Sequence, residues 1–70
     1  MDVVVEQHMN NNYYITLEII IRWDQQLYHV QCCPLFSNGL CGYPEREMTY
    51  SINEKQKAYN TFKRYVKKYI

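Results

Sequence analysis

His29, Cys32, Cys33 and Cys41 are the residues whose types could hold a metal or carry a nucleophile. Three thiolates and an imidazole would complete a tetrahedral zinc sphere. The spacing works against it: there is no paired C-x-x-C, and adjacent Cys32 and Cys33 point to opposite faces if both lie in a strand. Small free thiols are the plainer reading. A Cys–His nucleophile pair would need an orienting residue and an oxyanion loop, and neither is signalled. Glu45 and Glu47 sit two apart in a charge-rich stretch and read as a solvated acidic pair. With only Gly39 and Gly42 in the chain, no glycine-rich phosphate loop can form. The residues therefore predict neither catalysis nor a metal or other cofactor.

What remains is surface chemistry. Lys57, Lys63, Arg64, Lys67 and Lys68 recur at helical spacing near the C-terminus and could track a phosphate backbone or an acidic partner. The plainer alternative is a solvated face that keeps a small protein soluble. A second set, Phe36, Tyr43, Glu45, Arg46 and Glu47, mixes aromatic and charged residues in a predicted loop, a common make-up for interface anchors. Its alternative is local packing of the loop on the rest of the domain.

These residues must be positioned by a short chain. Seventy residues make one domain, near the lower limit for an unaided core, and 47% hydrophobic content is that of a folded chain. The net charge of +1 hides an asymmetry. Asp2, Glu6, Glu18 and Asp24 face Arg22 alone in residues 1–30, whereas seven cations face three glutamates in residues 31–70. The C-terminal half is the one suited to an acidic partner. No run approaches the roughly 18 to 20 apolar residues of a membrane span, so no membrane partner is expected. The first residues lack a basic n-region and a long apolar run, and three cysteines are an odd count. Both features predict the reducing cytoplasm.

Residues 1–12 read as an arm of uncertain order, in which Val3–Val5 could form a short strand before Asn10-Asn11-Asn12 breaks it. Residues 13–70 read as a single α+β domain. Tyr13 to Trp23 alternates as a strand, with Tyr13, Ile15, Leu17, Ile19, Ile21 and Trp23 on the core face. Asp24-Gln25-Gln26 reads as a hairpin loop, and Leu27 to Cys33 as the returning strand, ended by Pro34. Asn38-Gly39 signals a type I′ turn within a small hairpin or ordered loop, and Glu47 to Ile52 reads as a third strand. Ser51-Ile52-Asn53-Glu54 fits a capping box ahead of a helix from about Asn53 to the end, packed through Ala58, Phe62, Tyr65 and Tyr69. The predicted fold is a small antiparallel β-meander of two or three strands with one C-terminal amphipathic helix across one face.

The predicted role is stoichiometric binding. Ile, Asn, Lys and Tyr, whose codons are AT-rich, are abundant. That bias suits an AT-rich bacterial, phage or archaeal-virus genome. In kind, the chain resembles small anti-CRISPR proteins, which share no common motif. The resemblance implies a phage- or mobile-element-encoded inhibitor of a host protein or nucleoprotein complex, acting in the host cytoplasm. The alternatives are a nucleic-acid-binding regulator that uses the basic helix and a homodimeric accessory subunit joined at an open strand edge.

Overall fold

The computed structural model describes residues 3–70 of the chain. Four strands, β1 (Val3–Met9), β2 (Tyr13–Arg22), β3 (Gln25–Pro34) and β4 (Arg46–Ser51), precede one helix, α1 (Lys55–Tyr69). The strands form one antiparallel sheet in the order β1-β2-β3-β4, and α1 lies over β2, β3 and β4. This is the expected α+β meander with one strand more.

The additional strand comes from the segment read as an arm. Asn10 does not end the order; it makes a turn. Its side-chain Oδ1 accepts from the backbone N–H groups of Asn12 (2.8 Å) and Tyr13 (2.7 Å), the local bonding that suits asparagine to tight turns. Val3–Met9 then pairs with β2 from Val3↔Ile19 to Met9↔Tyr14. Met1 and Asp2, the start of the expected arm, lie outside the described residues.

The β2–β3 turn also differs from expectation. Its two central residues are Trp23 (φ 50°) and Asp24 (φ 61°), and Arg22 pairs with Gln25. Two left-handed residues make a type I′ turn, whose twist matches the flanking strands. The hairpin therefore closes earlier than a loop over residues 24–26 would allow, and the tip runs clear of the helix. Trp23 is 86% exposed and Ile21 50% exposed, which corrects their expected place in the core.

Alternation does set the core elsewhere. Ile15 and Leu17 of β2 pair with Cys32 and Val30 of β3, and all four are fully buried beneath α1 together with Ala58 and Phe62. Tyr13, Tyr65 and Tyr69 close one end, with ring centroids 4.9 Å apart for Tyr13–Tyr69 and 6.5 Å for Tyr65–Tyr69. The Tyr50 hydroxyl, 2.6 Å from the Thr61 hydroxyl, ties β4 to the helix.

The capping box forms in half. Glu54 Oε1 accepts from the Ser51 backbone N–H at 3.2 Å, but the helix starts at Lys55, a little later than expected, and no side chain caps it. Lys67 and Lys68 in the last turn suit the helix dipole. Between β3 and β4, the Phe36 carbonyl accepts from Gly39 N–H, and Leu35 bridges Cys41, so a small hairpin does form. Only Gly39 there has positive φ (84°), so the turn over Phe36–Gly39 is not type I′.

Candidate binding groove

The cationic residues of α1 are all exposed but spread around the outer side of the helix, and only some of them border the sheet. Residues three, four and seven apart line one helix flank, and Lys57, Thr61, Arg64 and Lys68 fall on the flank above β4. Lys63 lies on another side with Lys55, Gln56 and Tyr59. Lys67 is exposed on the outer surface, and Lys57 is held by Glu54 at 3.0 Å. That contact and the Ser51 N–H hold the Glu54 carboxyl below its usual range.

The loop set separates in the same way. Arg46 and Glu47 are neighbours in β4, so they point to opposite faces. Arg46 turns to the helix side, where its register partner is the core residue Cys32. Glu47 turns to the other face. Phe36 (55% exposed) and Tyr43 (94% exposed) stay in the loop beyond the end of the strands, beside Cys41 and Gly42. Glu45 lies towards Tyr13, and its charge is the main reason the Tyr13 phenol is pushed up.

What the fold does bring together is one member of the loop set and two of the helix set. Arg46, Arg64 and Lys68 line a groove of about 450 Å³ between β4 and α1, with Tyr50, Tyr65, Tyr69, Met48 and Thr61. No carboxylate lines it, and none of the three cations is in an ion pair among the described residues. Arg64 Nη2 donates to the Thr61 hydroxyl at 3.1 Å, which orients the guanidinium along the groove. The Tyr69 phenol beside Arg46 favours the charged guanidinium. Lys68 Nζ lies 5.4 Å from the Tyr69 ring centroid, a cation–π distance. Partial burial raises the Tyr65 hydroxyl, which stays a neutral donor. The groove thus offers three cations and phenol donors to an anionic or hydrogen-bonding ligand.

The opposite face holds a constellation that the sequence reading missed. His29 Nδ1 is 3.0 Å from Glu18 Oε1, and Nε2 is 3.1 Å from Glu47 Oε2. An ionised carboxylate only accepts, so both contacts are hydrogen bonds when both ring nitrogens carry protons. Glu18 pairs with His29 because the turn falls at residues 23 and 24. A loop over residues 24–26 gives a different register and hides the pair. Alternation sends Cys32 to the helix side and Cys33 to the face of His29, while Cys41 sits exposed in the loop. The four residues therefore do not converge on one point, since Cys32 lies on the helix side, although the Cys41 thiol is near enough to Cys33 to help raise it. No group of three or more His, Cys, Asp or Glu residues fit to hold a metal occurs among the described residues. No described helix is long and apolar enough to cross a membrane.

Compared with protein-family models, curated proteins and solved structures, the chain has no match.

Proposed function

We propose that this protein acts by stoichiometric binding, through the groove between β4 and α1, and catalyses no reaction of its own. The observation that carries the reading is the convergence of Arg46, Arg64 and Lys68 on one groove that no carboxylate lines and in which none of the three is ion-paired among the described residues. Cations left unpaired beside aromatic rings are what an acidic partner surface recognises. The exposed Phe36, Leu40 and Tyr43 at the loop end supply a second, apolar contact area. In its finer form the proposal is a phage- or mobile-element-encoded inhibitor of a host protein or nucleoprotein complex, working in the host cytoplasm. Small size, compositional bias and three free cysteines support that form.

One observation favours a second reading. Three cations interleaved with three tyrosines could also hold a single nucleic-acid strand, with phosphates on the cations and bases on the rings. Salt separates the two, because counterion release makes nucleic-acid binding fall steeply as salt rises. The test is capture from a host lysate with the parent, with Arg64→Glu/Lys68→Glu, and with Lys63→Glu/Lys67→Glu as a control of equal charge change. Loss of the captured protein with the groove variant alone is expected. Equal capture by all three would remove the groove as the binding surface, and capture of nucleic acid alone would promote the second reading.

A further inference from the structure

Two strands, β1 and β4, leave the sheet with open edges, and they differ. β1 shifts register between Val4 and Glu6. A bulge of this kind twists an edge away from further pairing. β4 pairs with β3 from Arg46 to Ser51 without a break. The Ser51 N–H donates to Glu54 Oε1 and its carbonyl accepts from Glu54 N–H at 2.9 Å, so its backbone faces away from β3. Alternation along an antiparallel strand then turns the N–H and C=O of Thr49 and Glu47 outward as well. Ser51 is satisfied from within the chain. Thr49 and Glu47 present a donor–acceptor row to whatever lies beside them.

The groove runs along that same edge. Arg46, Met48 and Tyr50 pair with the core residues Cys32, Val30 and Tyr28, so they share the helix side of β4 and belong to the groove. A strand added beside β4 would send every second side chain to this side. Those side chains would meet Arg46 from the strand, and Arg64 and Lys68 from the helix.

We propose that β4 accepts an extended acidic segment of a partner protein as a fifth strand, with carboxylates at alternate positions held by Arg46, Arg64 and Lys68. The proposal rests on the groove being the binding surface and names the form of its ligand. Main-chain pairing supplies affinity and the alternate side chains supply selectivity. A second copy docking through its own β4 is a poor occupant, because that strand carries Arg46 and no carboxylate on the groove side. A nucleic-acid strand satisfies the cations but leaves the row of outward amides unused.

The probe is a short labelled peptide in which glutamate alternates with threonine, followed by fluorescence anisotropy. Binding is expected to weaken about tenfold or more in Arg64→Glu/Lys68→Glu, and similarly in Thr49→Pro. Proline at 49 removes an outward N–H while leaving the β3 ladder intact. Because that variant can fail to fold, the parent supplies an independent readout. Amide exchange at Thr49 and Glu47 is expected to slow when peptide is added. A peptide that binds and responds to the charge variant, but slows neither amide, overturns strand addition and leaves the groove as a binding surface. Absence of peptide binding, with lysate capture still dependent on Arg64 and Lys68, has the same meaning. An oligothymidylate that binds in place of the peptide, or a dimer of the protein that Thr49→Pro dissolves, overturns the proposal outright.

Discussion

Thr16 is 2% exposed, and its hydroxyl is the one buried side-chain polar atom without a hydrogen-bond partner among the described residues. A buried hydroxyl left unpaired costs more than its methyl replacement. Thr16→Val keeps the shape and the β-branching, and is expected to stabilise the fold by about 1 kcal/mol in urea titrations. A loss of similar size would mean that the hydroxyl is paired after all. Cys32 and Cys33 lie on opposite faces of β3 yet are both buried, which alternation alone does not predict. Burial pushes the Cys32 thiol up to about 11 and also raises Cys33, whereas Cys41 is exposed. Thiolate is the reactive form, so a thiol reagent at neutral pH should label Cys41 quickly and the other two only on unfolding. Equal rates at all three would contradict the burial. The Glu18–His29–Glu47 contacts were not legible, because they depend on a cross-strand register fixed by the exact turn.

The elements most readable from sequence were those with a period. Ala58 and Phe62 sit in the core as the helical spacing predicts, and Phe62→Ala is expected to cost roughly 3 to 5 kcal/mol of stability. A variant that melts with the parent would mean that α1 does not pack through this ring. Strand faces were readable for the same reason at Ile15, Leu17, Val30 and Cys32. They were not at Ile21 and Trp23, which are exposed, nor at Thr16, Ile20 and Cys33, which are buried on the opposite face. Strand ends were not readable either. Turn chemistry decides the ends, and Trp23-Asp24 has no type I′ signature. Each of these residues occupies a left-handed conformation that costs L-residues roughly 1 to 2 kcal/mol, less for Asp. Replacing the pair with the preferred sequence, as Trp23→Asn with Asp24→Gly, should raise stability by about 1 kcal/mol. The exposed indole makes no core contribution to offset this gain. An unchanged or lower stability would show that Trp23 is held by contacts a strained turn does not require. Between β1 and β2, the triple asparagine that reads as a break is a connection, since a turn and a chain end use the same residue types.

At the scale of the whole molecule, the groove was legible only in its parts. In the sequence Arg46 belongs with the loop residues and Arg64 with the helix; only the packing of α1 over β4 makes them neighbours. The same packing shapes the response of the whole fold to alkali. The Cys32 thiol, ordinarily near 9.0, is pushed to about 11 by burial first and by Glu45 and Cys33 after it. The Tyr65 phenol is raised by burial and the Tyr13 phenol chiefly by the charge of Glu45. Each group is an acid whose folded form keeps its proton at a pH where the unfolded chain has released it. The folded state then binds more protons, so stability falls as pH rises. For Cys32 the contribution is complete below about 9 and gone once the pH has passed about 11. Glu54 acts in the opposite sense at the acid end. Its lowered carboxyl stabilises the fold above the ordinary range near 4.5, and that support goes as pH falls through the lowered value. Melting temperatures should therefore decline between about pH 9 and 11, beyond what surface titration gives. Cys32→Ala should be less stable than the parent at neutral pH, because it leaves a small void in the core. It has no thiol to ionise, so the gap between the two proteins should narrow steadily through the alkaline range. A gap that stays constant from pH 8 to about 11 would show that Cys32 does not couple ionisation to folding.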